Sequence, residues 1–270
     1  MSKSTVQTSF EQRLQKEKDL FIPFIMSGDP SPAATVELAL TLQESGADIL
    51  ELGVPYSDPL ADGPTIQEAA GRALQHGMNL KESIELVPKM RSKGLEIPVV
   101  LFTYYNPVLQ YGLEQLFQDL REHDIDALLV PDIPLEESVE LKEYAHEFGV
   151  ELISLVAPNS EARIRKIAEQ ATGFLYCVSS LGVTGERKEL SQDISSFLEK
   201  VKSYSSVPVA VGFGISTNEQ VHLMKQYSDG VIIGSKIIKV INGYHDELVS
   251  ESARPSALKK VKQEIVELVQ

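Results

Sequence analysis

Three carboxylates fall within one proline-punctuated stretch. Glu51 lies in the apolar run Ile49 to Val54, and Asp58 and Asp62 follow in Pro-Tyr-Ser-Asp-Pro-Leu-Ala-Asp-Gly-Pro, from Pro55 to Pro64. The run is apolar apart from Glu51 and Gly53 and is bounded by Gly46 and Pro55, so it reads as a strand covered on both faces. Side chains alternate along a strand, which turns Leu50, Leu52 and Val54 one way and Ile49, Glu51 and Gly53 the other. A carboxylate there is costly unless it is paired, hydrated or able to take up a proton, which leaves two readings, a structural ion pair or a working acid/base. The loop shifts the balance toward chemistry. Pro55, Pro59, Gly63 and Pro64 exclude regular structure, so Asp58 and Asp62 belong at the carboxyl end of the strand, where α/β folds gather ligands and catalytic groups.

A second kind of signal comes from glycines at successive strand ends: Leu181-Gly182-Val183-Thr184-Gly185, Gly212-Phe213-Gly214-Ile215-Ser216 and Gly234-Ser235. Taken singly each makes only a tight turn. Together they describe backbone N–H groups free to approach a phosphate, with a helix starting just after Gly234 adding its positive end.

The elements that must position these groups are short apolar runs recurring along the chain: Phe21 to Met26, Ile49 to Val54, Pro98 to Thr103, Ala127 to Val130, Leu152 to Ala157, Phe174 to Val178, Val209 to Gly212 and Val231 to Gly234. Helical periodicity fills the intervals, among them Pro32 to Glu44, Leu113 to Glu122, Glu136 to Phe148, Ala162 to Glu169 and Asn218 to Tyr227. Ser31 before Pro32, and Ser160 before Glu161, read as N-caps. Eight such βα units predict an α/β fold, a (β/α)8 TIM barrel forming a single domain over residues 1–270. An open doubly wound sheet fits the same periodicity. Thr8 to Lys18 reads as an extra N-terminal helix able to plug the barrel's amino-terminal mouth. Asp48, Asp126 and Asp229 each precede a strand, at the end where aspartates serve turns and capping rather than catalysis.

Composition excludes several functions. A formal net charge of −14 argues against a nucleic-acid groove or an anionic membrane surface, and a bound phosphate must then be held mainly by backbone dipoles. No apolar run approaches a membrane span, and the first ten residues lack a signal-peptide core. One cysteine, Cys177, allows no intrachain disulfide; the expectation is a cytoplasmic protein. The five histidines show neither metal-ligand spacing nor placement at a strand's carboxyl end, so no metal is assigned. Cys177 faces the helices if Tyr176 faces the barrel and is then an inert core thiol. Asp132 ends the fourth strand at the functional mouth, with either a ligand or a structural role open to it.

The segment from Pro55 to Pro64, with Gly182-Val183-Thr184-Gly185 and Gly212-Phe213-Gly214-Ile215-Ser216, resembles the tryptophan synthase α-subunit family. The likeness runs from Pro23-Phe24 through Tyr104-Tyr105-Asn106-Pro107 and Pro131-Asp132-Ile133-Pro134 to Gly234-Ser235. It implies a (β/α)8 barrel that cleaves indole-3-glycerol phosphate by retro-aldol chemistry to indole and glyceraldehyde 3-phosphate. It implies no cofactor in this chain, pyridoxal phosphate belonging to a partner β subunit that receives the indole within an α2β2 heterotetramer. By the same resemblance Glu51 is the catalytic acid/base and Asp62 the group near the indole nitrogen. Tyr176 lies near the reacting centre, Phe213 lies against the indole, and Gly185, Gly214, Gly234 and Ser235 hold the phosphate. Thr184 is expected to help its loop close over substrate by hydrogen-bonding Asp62. Pro55, Tyr56, Asp58, Asn106 and Pro107 form the face turned to the partner. Tyr56 stands where the family more often has Phe. Two other functions compete: another phosphosugar barrel isomerase or epimerase with Glu51 shuttling a proton beside a carbonyl, and a chiefly allosteric binding subunit.

Overall fold

The computed structural model describes Val6, Gln12 and residues 19–178, 192–212 and 214–270, the side chains of Gln192 and Asp193 apart. Eight parallel strands close into a barrel in chain order: β1 (Leu20–Met26), β2 (Leu50–Gly53), β3 (Val99–Phe102), β4 (Ala127–Leu129), β5 (Glu151–Val156), β6 (Leu175–Val178), β7 (Val209–Gly212) and β8 (Gly230–Ile233). Closure between β8 and β1, with Leu20 opposite Gly230 and Pro23 opposite Ile233, excludes the open doubly wound sheet. The helices among the described residues are α1 (Pro32–Glu44), α2 (Pro64–Gln75), α3 (Leu80–Ser92), α4 (Tyr105–Tyr111), α5 (Leu113–Glu122), α6 (Val139–Phe148), α7 (Glu161–Ala168), α8 (Gln192–Tyr204), α9 (Asn218–Lys225), α10 (Ser235–Gly243), α11 (His245–Val249) and α12 (Arg254–Val269).

Strand alternation splits the core in two. Leu20, Ile22, Ile49, Val100, Leu129 and Phe174 fill the barrel, whereas Leu50, Leu52, Leu101, Leu128, Cys177 and Val211 pack outward with the helices. The sequence-derived parity holds at β6: Cys177 is fully buried in the outer layer and Tyr176 packs with the interior. Val6 is helical, wholly buried and part of the interior cluster. Apart from Gln12, the helix anticipated over Thr8 to Lys18 lies outside the described residues.

The three strand-preceding aspartates act as stitches at the barrel's amino-terminal end. Asp48 Oδ2 accepts the Phe21 N–H at 2.9 Å, Asp126 Oδ2 that of Val99 at 2.8 Å, and Asp229 Oδ2 that of Val209 at 2.8 Å. Arg91 also bonds Asp126 at 3.0 Å, and Lys202 bonds Asp229 at 2.8 Å. Each carboxylate thus satisfies a backbone amide in the first residues of a strand.

Two helix starts differ from expectation. Ser31 accepts the Ala34 N–H at 3.2 Å and caps α1, but Ser160, although it immediately precedes α7, makes no side-chain cap. Its own N–H is taken by Asn159 Oδ1 at 2.8 Å, which orients the turn instead. Glu136 and Glu137 lie in a turn and Ser138 is the N-cap of α6, because Glu137 and Ser138 donate their N–H groups to the Pro134 and Leu135 carbonyls. Glu136 is left outside the helix, where it pairs with Arg163 and Lys166.

Candidate active site

Glu51 points into the barrel from β2, in register with Phe24 of β1 and Val100 of β3. It is 2% exposed, and its Oε1 has no hydrogen-bond partner among the described residues. Among the described residues Glu51 makes no ion pair, so a structural pairing finds no partner there. Burial, and secondarily the charge of Asp62, pushes its carboxyl from the usual 4.5 to about 8, so at neutral pH it is mostly protonated.

Asp62 reaches the same space from the loop after β2. The loop ends at Gly63, the N-cap of α2, so Asp62 lies at the positive end of that helix. Gln67 of α2 donates to the Asp62 carbonyl at 2.7 Å, fixing its backbone. Burial raises the carboxyl from 3.8 to about 6, a rise restrained by a hydrogen bond from the Tyr104 hydroxyl. Asp62 is therefore mostly ionised at pH 7 while Glu51 is mostly neutral. Two nearby carboxyls with separated titrations are the arrangement that assigns an acid and an anion to one site.

Both line a cavity of about 750 Å³ at the carboxyl-terminal mouth, together with Tyr176, Gly214, Gly234 and Ser235. The mouth is shaped by glycine at two points. A Cβ on Gly53 would stand 2.4 Å from the Phe24 ring, and one on Gly212 would stand 2.7 Å from the Tyr176 hydroxyl, so both strands end in glycine to admit an aromatic ring. Gly214 has a φ of +65°, open to glycine at little cost, and Gly234 caps the start of α10. Gly214, Gly234 and Ser235 thus line the cavity, the last two at a helix N-terminus. Phe24, Phe102, Leu155 and Ile232 supply apolar walls. Tyr176 is held well above its ordinary pKa by burial and then by the Glu51 and Asp62 charges, and stays a neutral phenol.

The remaining sequence-derived residues divide into three groups. Thr184, Gly185 and Phe213 lie outside the described residues. Asp58 and Asn106 are exposed, and Tyr56 and Pro107 half-buried, on the outer side of the loop and the start of α4. Pro55 corrects the expectation of an outward face: it is buried, because the Val54 N–H still bonds the Phe102 carbonyl at 2.8 Å and holds the chain against β3 up to the proline. Asp132 lines the cavity, but its Oδ1 accepts the Tyr105 N–H at 2.9 Å, so it braces the start of α4. Tyr104, absent from the sequence-derived site, is fully buried, and its hydroxyl accepts the N–H of Ala61, the residue before Asp62, at 3.1 Å. Strand parity contained the signal, since Val100 and Phe102 face inward and Tyr104 continues their side. No cluster of His, Cys, Asp and Glu able to hold a metal occurs among the described residues, and none of their helices is long and apolar enough to cross a membrane.

A closed parallel barrel with a buried glutamic acid, a buried aspartate and glycines lining one cavity at its carboxyl-terminal mouth has the form of a (β/α)8 enzyme. The family model for the tryptophan synthase alpha chain matches residues 10–267. The tryptophan synthase alpha chain of Geobacillus sp. (strain WCH70) is 58% identical over 247 residues, covering 92% of this chain and 94% of that one. That of Bacillus subtilis (strain 168) is 55% identical over 251 residues, covering 93% and 94%. Among solved structures, Mycobacterium tuberculosis tryptophan synthase superposes with a TM-score of 0.88 at 32% identity, over 99% of this chain and 98% of that one. The chain belongs to the tryptophan synthase alpha chain family. It is a carbon–carbon lyase that cleaves indole-3-glycerol phosphate in tryptophan biosynthesis, and the family needs no cofactor, pyridoxal phosphate being bound by the β subunit.

Proposed function

We propose that Glu51 moves both protons of the lyase reaction and that Asp62 stabilises the charge that appears between the two transfers. The single observation carrying this division of labour is that two buried carboxyls line one cavity, Glu51 and Asp62, with burial raising Glu51 to about 8 and Asp62 only to about 6. Protonated Glu51 gives its proton to indole C3, turning the ring into an electrophilic indoleninium. Ionised Asp62 faces the positive ring nitrogen, an electrostatic contribution strongest where water is excluded. Glu51, now a carboxylate, takes the proton of the side-chain hydroxyl. The C3–carbon bond then breaks, its electron pair returns to the ring and neutralises the nitrogen, and the carbon that bore the hydroxyl leaves as an aldehyde. Glu51 ends the cycle protonated. One group serves as acid and then base, which asks for a pKa near the working pH.

In this reading the phosphate rests on the amides around Gly214, Gly234 and Ser235, joined by Gly185, with Phe213 against the indole and Thr184 aiding loop closure. Tyr176 borders the reacting carbon. The whole chain acts as one catalytic domain in the cytoplasm. The solved tryptophan synthase structures it matches imply a partner β subunit, and the exposed Asp58 and Asn106, with Tyr56 and Pro107, form the face turned to it within an α2β2 assembly.

The test is single-turnover cleavage of indole-3-glycerol phosphate by Glu51→Gln and Asp62→Asn. Glu51→Gln should lose at least about 10²–10⁴-fold in rate, because an amide exchanges no proton. Asp62→Asn should lose kcat with substrate affinity largely retained. Either variant cleaving within tenfold of wild type would remove its residue from the assigned role.

A further inference from the structure

The loop carrying Asp62 is gripped twice by the segment after β3, and both grips are phenols. Tyr104, just before α4, places its hydroxyl where it accepts the Ala61 N–H at 3.1 Å, beside the Asp62 carboxyl whose ionised form it favours. Tyr56, on the loop itself, reaches the other way, its hydroxyl accepting from Asn106 Nδ2 of α4 at 3.0 Å. The two rings lie against each other with centroids 5.4 Å apart, and Phe102 meets Tyr104 edge-on at 6.2 Å. Tyr104 is 1% exposed, whereas Asn106 is exposed. A continuous path of contact therefore runs from a surface amide to the carboxylate in the site.

We propose that Tyr104 and Tyr56 form a reciprocal clasp that positions Asp62 for catalysis, with the exposed Asn106 amide as its external handle. The idea rests on Asp62 holding the role assigned above. Tyr104 does two things there that packing alone does not require. It fixes the backbone next to Asp62, and it offers the carboxylate a hydrogen bond that favours the ionised form. Other groups facing the pair work differently: Glu51 from β2 and Tyr176 from β6 interact with the Asp62 charge, and Asp132 after β4 acts on the Tyr104 hydroxyl. Tyr104 supplies the hydrogen bond that restrains the rise at Asp62. A partner that engages Asn106 holds Tyr56, Tyr56 holds the Tyr104 ring, and the loop cannot lift without breaking both grips. Tyr104 and Tyr56 are positioning residues in this scheme.

The experiment compares Tyr104→Phe, Tyr56→Phe and Asp62→Asn with wild type, each with and without saturating cognate β subunit, measuring kcat, KM and the pH profile of indole release. Tyr104→Phe keeps the ring and should fold. It should lose about 10- to 100-fold in kcat, the scale of a hydrogen bond to a charged group, with KM little changed. Its acid limb should move to higher pH, because the carboxylate loses a donor that favoured ionisation, and a purely structural role would leave that limb in place. Tyr56→Phe should lose less in the isolated chain but be activated less by the β subunit. Wild-type kcat and an unmoved acid limb in Tyr104→Phe, while Asp62→Asn is inactive, would overturn the clasp and leave the role of Asp62 standing. An active Asp62→Asn would overturn both. If Tyr104→Phe unfolds, Tyr56→Phe decides alone: activation equal to wild type refutes the handle and with it the clasp.

Discussion

Removing the Glu51 charge should make the chain more stable as well as inactive, and more so the higher the pH. In the folded chain this carboxyl titrates near 8, against 4.5 ordinarily. Below pH 4.5 it is protonated in both folded and unfolded chains and contributes no difference. Between 4.5 and 8 the unfolded chain releases the proton while the folded chain keeps it, so stability falls as pH rises through that window. The loss amounts to about 3 kcal/mol by pH 7 and about 5 kcal/mol above pH 8. Glu51→Gln is neutral throughout and escapes it. Its buried amide adds a cost that does not vary with pH, so the diagnostic is how the difference from wild type grows. Thermal or urea unfolding of both proteins at pH 5, 7 and 9 reads it directly. The loss grows by about 4 kcal/mol between pH 5 and pH 9, and at about 2–4 °C per kcal/mol the melting difference should move in favour of the variant by roughly 8–16 °C. A difference that stays flat with pH would refute the reasoning, because it would mean that the folded carboxyl ionises as an ordinary glutamate does.

Three further outcomes follow from the site. The pH profile of kcat/KM should be a bell whose acid limb lies near 6, where Asp62 gains its proton, and whose basic limb lies near 8, where Glu51 loses its own; a single-limbed profile would dissolve the pair. Gly214→Val should weaken glycerol 3-phosphate binding about tenfold, measured by calorimetry, since φ is +65° there, while Gly234→Ala should bind normally because its Cβ would meet Phe24 only at 3.6 Å. Titrating cognate β subunit into the chain should raise indole release about 5–150-fold, and Asp58→Ala should need more β subunit for the same gain; equal activation at matched low concentration would remove Asp58 from the contact.

Much of this was legible because barrel strands are short apolar runs with a fixed inward and outward parity. Glu51 stood out as the polar residue on the inward side of its run, and the same parity placed Tyr176 and Cys177 on opposite faces. The amides near Gly214, Gly234 and Ser235 were legible through glycine's backbone freedom. What resisted reading depends on partners distant in sequence. Nothing local joins Tyr104 to Asp62, or couples Gly53 to the Phe24 ring and Gly212 to Tyr176. The buried side of Pro55 is set by a carbonyl on β3. The charge states of Glu51 and Asp62 needed the cavity itself, since burial is the largest cause of both shifts.

At the opposite end of the barrel, the stitches made by Asp48, Asp126 and Asp229 bear on how the chain assembles. Each joins a strand to the start of the next across only 27, 27 and 20 residues, tying β1 to β2, β3 to β4 and β7 to β8. These closures are local, so they can form before the ring does and hand the growing barrel prefabricated strand pairs. A circular permutant opened after β2 or after β4 keeps every stitch within a continuous segment and should refold at close to the parent rate. One opened between β1 and β2 makes the first stitch a closure between chain ends, and should fold more slowly while reaching the same barrel.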